Sequence, residues 1–276
     1  MLNAHRARLV IDLWPFPNNT GKVTPIFLRS MARPNALFFG QLILVIGFGT
    51  KMKKELRYFQ KDCVKAIIDS LKRGHNPYAN CVTGFGKSLV LADLSAKALR
   101  QDKRVLQLVP NHTLCEQNFR QTSEYLGINA HNVGMCSAKA SRYELSKHCI
   151  IATQTSLVRR LYKICKIDLL LIDEADMVSL EPNSTYRKIV SHLLKANAAM
   201  KIVGVTGSPY RQDQGEIHQG ANALFTECCY ESDIPRLINE GYLSSVEILN
   251  SPVHVDLDDV KIVRGEYDQG QVGVKF

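Results

Sequence analysis

The sequence lacks the cysteine spacing of a metal site or of a disulfide framework. Its eight cysteines include no Cys-x-x-Cys pair, and the adjacent Cys228 and Cys229 do not have metal-ligand spacing. We therefore expect no zinc site, and we interpret the cysteines as small buried residues of a protein in the reducing cytoplasm. The sequence also shows no internal repeat and no low-complexity stretch, which argues against a repeat protein.

The sequence has no apolar run long enough to cross a membrane. The apolar segment 36–49 contains fourteen residues, whereas a transmembrane helix needs about 20, so no integral membrane association is expected. We predict that residues 1–51 are a poorly ordered or spurious N-terminal extension, because the sequence that begins at Met52 resembles a natural start of translation. A peripheral membrane anchor and a structured element are the alternatives. Long elements before the apolar segment are excluded by Pro15, Pro17, Pro25 and Pro34.

The net charge of +9 gives only weak support for a polyanionic partner. Residues 1–51 contain six Lys or Arg residues and one acidic residue, and the rest of the chain contains 29 basic and 25 acidic residues. Because the basic excess outside the N-terminal segment is small, charge alone does not identify nucleic acid as the partner.

Short apolar segments alternate with helical patterns from residue 52 onward. Because the predicted strands are apolar throughout and helices separate them, the sequence predicts an α/β fold with a mostly parallel sheet covered by helices on both faces. The candidate strands are 79–82, 104–109, 149–153, 168–172, 201–205 and 246–250. The candidate helices are 58–73, 87–101, 113–126, 155–161, 184–196 and 234–241.

A glycine-rich segment at 81–88 predicts a phosphate-binding loop. It reads Cys-Val-Thr-Gly-Phe-Gly-Lys-Ser and lies between a predicted strand and a predicted helix. Glycines allow consecutive backbone N–H groups to point at phosphate oxygens. A lysine at the helix start can neutralise the β- and γ-phosphates, and the hydroxyl after it can bind Mg²⁺. The predicted ATP-binding residues of this loop are Thr83, Gly84, Gly86, Lys87 and Ser88.

The segment 169–176, Leu-Leu-Leu-Ile-Asp-Glu-Ala-Asp, predicts a buried strand that ends in carboxylates. Ligands of parallel sheets bind just beyond the carboxyl ends of the strands, so Asp173 is expected near the phosphate loop. We expect Asp173 to bind Mg²⁺, directly or through water, and Glu174 to orient and deprotonate the attacking water. Asp176 follows one turn later and can pair with a polar partner. With Lys87, these residues predict ATP hydrolysis.

The two segments, together with Thr-Gly-Ser-Pro at 206–209, resemble motifs I, II and III of superfamily 2 helicases of the DEAD/DEAH-box type. The likeness covers about residues 54–255. More specifically, it resembles RadD-type bacterial DNA helicases and the motor subunits of type III restriction enzymes. The resemblance implies a RecA-like P-loop fold, with residues 52–255 as the helicase ATP-binding lobe.

The resemblance also implies roles for residues outside these segments. Leu-Arg-Tyr-Phe-Gln at 56–60 is similar to the stretch whose glutamine reads adenine, which assigns Gln60 and Arg57 to the nucleotide. Thr206 and Ser208, with Asp176, would couple hydrolysis to strand binding. Two further segments, 109–117 and 152–157, are similar to motifs that contact the nucleic-acid backbone. The residues they assign to nucleic acid are Pro110, Thr113, Gln117, Thr153 and Gln154.

The function implied by the resemblance is the ATP-binding lobe of an ATP-dependent helicase or translocase, with DNA favoured over RNA as the partner. Such motors close a second RecA-like lobe over ATP, so we expect 256–276 to be a truncated linker toward a missing second lobe. Two alternatives remain open. The first is a truncated lone lobe that binds nucleotide or nucleic acid with little turnover. The second is a P-loop ATPase that acts on something other than nucleic acid.

Overall fold

The computed structural model describes residues 55–211 and 215–245, together with two short strands, Ile262–Val263 and Glu266–Tyr267. The predicted extension at 1–51 and the predicted strand at 246–250 lie outside the described residues. Most of the predicted linker at 256–276 also lies outside them, and its two described strands pair antiparallel.

In the described part of the chain, the main sheet contains eight strands, and every neighbouring pair is parallel except one. The strand order is β10-β1-β7-β6-β2-β5-β3-β4, with β4 antiparallel to β3. This arrangement brings the carboxyl ends of seven strands to one edge of the sheet. The strands are β1 Pro77–Asn80, β2 Val105–Val109, β3 Val133–Ser137, β4 Arg142–Tyr143, β5 Cys149–Thr153, β6 Leu169–Asp173, β7 Lys201–Thr206 and β10 Glu227–Glu231. A separate antiparallel pair consists of β8 Tyr210–Arg211 and β9 Gly215–Glu216. The strands Ile262–Val263 and Glu266–Tyr267 are β11 and β12.

Helices cover both faces of the sheet. Successive residues of a strand point to opposite faces, so each strand contributes side chains to two cores. Leu169 and Leu171 of β6 belong to the core under the first three helices, whereas Leu170 and Ile172 belong to the core under α5. The helices are α1 Tyr58–Lys72, α2 Lys87–Leu99, α3 His112–Leu126, α4 Gln154–Val158, α5 Thr185–Ala196 and α6 Ile234–Asn239. Short 3-10 segments lie at Gly127–Asn132, Leu161–Lys163 and Ala175–Met177. Among the helices of the described residues, none is both long and apolar enough to span a bilayer.

The predicted α/β class with a mostly parallel sheet is confirmed, but the sequence patterns missed three strands of the main sheet. Strand β3 contains Gly134, which weakens the strand pattern; a Cβ there would lie 2.5 Å from the carbonyl oxygen of Glu144. Strand β4 has only two residues, and the edge strand β10 begins and ends with glutamate. Strand β1 begins at Pro77, two residues before the predicted start.

Gly204 gives a test of the packing at the centre of this sheet. A Cβ at this position of β7 would lie 2.7 Å from the Phe225 ring and 2.8 Å from the Cβ of Ala175. Overpacking of a core costs about 1–3 kcal/mol, so we expect Gly204→Ala to lower the free energy of unfolding by about that amount in urea titrations. Lys201→Ala, at the exposed start of the same strand, is the control. Equal stability of Gly204→Ala and the unmodified protein would contradict the close packing.

Candidate functional site

The predicted phosphate loop connects β1 to α2 and depends on two glycines. Gly84 and Gly86 have φ angles of 87° and 90°, a backbone region that favours glycine. Gly86 directly precedes α2, and a Cβ there would lie 2.5 Å from Nε2 of Gln60. Phe85 between them is buried and packs against Phe59 and Tyr230. Its bulk therefore lies in the core, and the loop leads into the positive N-terminus of α2, which favours anions.

Lys87 and Glu174 form an ion pair that joins the loop to the end of β6. The Nζ atom of Lys87 donates to Oε1 of Glu174 at 2.7 Å, and the two side chains are 16% and 29% exposed. Glu174 has a φ of 51°, which is uncommon for a residue other than glycine. This backbone turn follows immediately after β6, so the two sequence-distant motifs meet at one place on the sheet edge.

Asp173 is the last residue of β6, and its carboxylate is only 2% exposed. Its Oδ2 accepts a 2.8 Å hydrogen bond from Nδ2 of Asn118, and its Oδ1 accepts a 3.2 Å bond from the backbone N–H of Glu174. Burial raises the pKa of Asp173 above its usual value, and the negative charge of Glu174 acts in the same direction. The hydrogen bond from Asn118 and the charge of Lys87 oppose this rise in pKa. Burial therefore makes the ionised form of this carboxylate less favourable than in a solvent-exposed aspartate.

The segment after β7 lies against both motifs. The hydroxyl of Thr206 donates to Oδ1 of Asp176 and accepts a 3.0 Å bond from the backbone N–H of Ser208. A Cβ at Gly207 would lie 3.1 Å from the carbonyl oxygen of Cys81 and 3.7 Å from Nζ of Lys87. The three residues predicted to couple hydrolysis to strand binding are thus hydrogen-bonded in series beside the phosphate loop.

Gln60, the predicted adenine reader, is 4% exposed and bonded to the phosphate loop. Its Nε2 donates to the carbonyl oxygen of Phe85 at 2.8 Å, and its Oε1 accepts from the backbone N–H of Arg57 at 2.9 Å. The primary amide has two N–H groups and two acceptor lone pairs. Its nitrogen and its oxygen can therefore each form one further hydrogen bond, such as one to a base. The guanidinium of Arg57 lies 4.8 Å above the ring centre of Tyr242.

The residues predicted to contact nucleic acid lie near one edge of the sheet but differ in exposure. The parallel register pairs Val109 with Thr153, which places Pro110 beside Gln154. Pro110 and Gln154 are half-buried, whereas Thr113 and Gln117 are exposed on α3. The Nε2 atom of Gln117 lies 3.4 Å from Oγ of Ser88, so this side chain points toward the phosphate loop.

Thr153 differs from the other four because its side chain is 4% exposed. Its hydroxyl donates to Oγ of Ser156 at 2.7 Å, and the same Oγ accepts a 2.8 Å bond from the backbone N–H of Ala138. The hydroxyl therefore bonds to α4 inside the protein, and the backbone of Thr153 is the part that could contact nucleic acid.

Sequence reasoning missed Asn118, whose buried amide contacts Asp173. Asn118 lies on the face of α3 that also carries the buried residues Cys115 and Thr122. A polar residue on the buried face of a helix was the available signal, because such groups are almost always hydrogen-bonded to a specific partner.

The fold and the site together define a RecA-like ATPase lobe of the superfamily 2 helicase class. The family model described as "Type III restriction enzyme, res subunit" matches residues 53–211, more than half of the sequence, and the chain belongs to this family. The family supports ATP binding for the lobe. The sequence matches no curated protein.

Solved structures of helicases and of a restriction enzyme share the fold at low sequence identity. The UvsW helicase of bacteriophage T4 aligns with a TM-score of 0.51 at 20% identity, over 64% of this chain and 60% of that one. The Hef helicase domain of Pyrococcus furiosus aligns with a TM-score of 0.55 at 18% identity, over 70% and 41%. A nuclease-deletion mutant of the Type ISP restriction-modification enzyme LlaGI, in complex with a DNA substrate mimic, aligns with a TM-score of 0.50 at 16% identity, over 68% and 21%. The chain thus spans less than two thirds of each, and the predicted RecA-like fold is confirmed.

Lys87 provides a direct test of nucleotide binding. We expect Lys87→Ala to weaken ATP binding at least about tenfold, because a charge-assisted hydrogen bond contributes about 1.5–3 kcal/mol. Titration with a fluorescent ATP analogue measures this loss. Lys72→Ala, at an exposed lysine of α1, should bind as the unmodified protein does. Retention of full affinity by Lys87→Ala would show that the loop does not hold the phosphates.

Proposed function

We propose that this chain is the ATP-binding lobe of an ATP-dependent DNA helicase or translocase, which hydrolyses ATP with Mg²⁺ when a second RecA-like lobe completes the site. The observation that carries this proposal is the 2.7 Å contact between Lys87 and Glu174, next to Asp173 at the end of β6. It brings the phosphate-binding lysine and both carboxylates to the same edge of the sheet.

The residues at this edge fit Mg²⁺ and a triphosphate. The Ser88 hydroxyl and the Asp173 carboxylate are oxygen donors, the type that Mg²⁺ prefers. Asp173 is buried with a raised pKa, and Lys87 binds Glu174 rather than Asp173, so a cation at Asp173 would favour the ionised carboxylate. When bound, Mg-ATP supplies the γ-phosphoryl group for in-line transfer to water.

Each side chain then has a separate task. Lys87 exchanges its bond with Glu174 for a bond with the phosphates, which releases the Glu174 carboxylate. Glu174 is 29% exposed, so water can reach it, and its carboxylate then orients the attacking water and accepts its proton. The Thr206 hydroxyl is hydrogen-bonded to Asp176 and to the backbone of Ser208. A change at the nucleotide site would therefore move the segment that follows β7.

Nucleic acid would bind along the neighbouring part of the same edge. Exposed Thr113 and Gln117, half-buried Pro110 and Gln154, and the backbone of Thr153 can contact phosphates without reading sequence. DNA is favoured over RNA by membership in a restriction-enzyme family and by the DNA substrate mimic in the LlaGI structure.

Nucleic-acid dependence of ATP hydrolysis tests this function. We expect single- or double-stranded DNA to increase the ATPase rate of the chain, alone or supplemented with a second RecA-like lobe. Glu174→Gln should still bind ATP and lose turnover, because an amide cannot accept the proton of the attacking water. Nucleotide binding with negligible turnover in both settings would instead support the lone binding module. Turnover that is indifferent to every nucleic acid would point to another kind of P-loop ATPase.

Gln60 gives a test of base recognition. We expect Gln60→Ala to reduce the preference for ATP over GTP by about fivefold to tenfold, since one hydrogen bond contributes about 1 kcal/mol. Competition of each nucleotide against a fluorescent ATP analogue gives the ratio of affinities. Gln101→Ala, at an exposed glutamine just after α2, is the matched control. If the unmodified chain binds ATP and GTP equally, Gln60 does not read adenine.

A further inference from the structure

Asn118, on helix α3, contacts the proposed Mg²⁺ ligand Asp173 at the end of β6. It is fully buried on α3, and its Nδ2 donates to Oδ2 of Asp173 at 2.8 Å. We propose that Asn118 is a positioning residue that holds the Asp173 carboxylate for Mg²⁺ and thereby links α3, which begins at the nucleic-acid edge, to the metal site. This inference rests on the proposed function of Asp173.

The chemistry of the contact fixes the orientation of the amide. An ionised carboxylate only accepts hydrogen bonds, so the nitrogen of Asn118 must face Asp173. The Oδ1 atom of Asn118 is then left with no hydrogen-bond partner among the described residues, although it is buried. A buried acceptor without a partner costs free energy of folding. An apolar side chain at this position would avoid that cost. The role of the amide is therefore its hydrogen bond to Asp173.

The bond to Asn118 is the shorter of the two that Asp173 accepts. The bond from the backbone N–H of Glu174 is 3.2 Å and comes from the adjacent residue, so it constrains the carboxylate less. Groups that orient a metal-binding carboxylate in this way typically control metal affinity.

The residue before Asn118 reaches the other proposed Mg²⁺ ligand. Gln117 places its Nε2 3.4 Å from Oγ of Ser88, at the long end for a hydrogen bond. Two consecutive side chains of α3 therefore face Ser88 on α2 and Asp173 on β6. The same helix begins at His112, directly before Thr113, which is proposed to contact the nucleic-acid backbone. Movement of α3 on binding nucleic acid would shift the partners of both metal ligands together.

Nucleotide affinity measured with and without Mg²⁺ tests this role. We expect Asn118→Leu to weaken binding of a fluorescent ATP analogue about 10- to 100-fold in Mg²⁺ and to leave its affinity in EDTA unchanged. A merely structural role would change both affinities alike. We also expect single-stranded DNA to increase Mg²⁺-dependent nucleotide affinity in the unmodified chain and not in the variant.

Thr122→Val is the matched control. Thr122 is buried one turn further along α3 and accepts a 3.1 Å bond from Gln107, away from Asp173. It should keep the normal difference between Mg²⁺ and EDTA. If Asn118→Leu does not fold, Asn118→Ser replaces it, because the shorter side chain cannot reach Asp173.

Four outcomes would overturn the proposal. An unchanged affinity in Mg²⁺, or equal losses in Mg²⁺ and EDTA, would exclude positioning by Asn118 while the proposed function stands. Equal enhancement by DNA in the variant and the unmodified chain would exclude the link through α3. Failure of the unmodified chain to bind nucleotide would instead remove the proposed function itself, and this inference with it.

Discussion

The parallel pairing of β1, β7 and β6 is the constraint on which the candidate site depends. Their register pairs Ala79 with Val205 and Val205 with Asp173, so the segments that follow the three strands emerge side by side. The phosphate loop, the turn at Gly207 and the carboxylate pair consequently share one edge, although they are far apart in the sequence. All three strands are buried along most of their length, as is typical of a parallel sheet with helices on both faces.

Much of this arrangement could be predicted from the sequence, because the strongest signals are local. The apolar run ending at Asp173 and the glycines before Lys87 predict a strand end and a phosphate loop, and the pairing rules of parallel sheets place them together. The strand boundaries are harder to predict. Strand β1 begins two residues before its predicted start, and Gly134 interrupts the apolar pattern of β3.

Side-chain contacts between elements could not be predicted in the same way. Thr153 was expected to contact nucleic acid, and its hydroxyl instead donates to the side chain of Ser156 in the first turn of α4. Asn118 was not singled out, since its role depends on how α3 packs over β6 rather than on any neighbouring residue in the sequence. Orientation within a packed core is decided by distant elements, which local patterns do not encode.

The close contact between Gln60 and Gly86 has a consequence for how the nucleotide would be sensed. A Cβ at residue 86 would lie 2.5 Å from Nε2 of Gln60, and the same nitrogen donates to the carbonyl oxygen of Phe85. If Gln60 reads the base as proposed, the residue that contacts the purine and the loop that binds its phosphates would therefore move together. A wrong base that displaced Gln60 would deform the cradle, and discrimination would appear in the fit of the triphosphate as well as in the fit of the base.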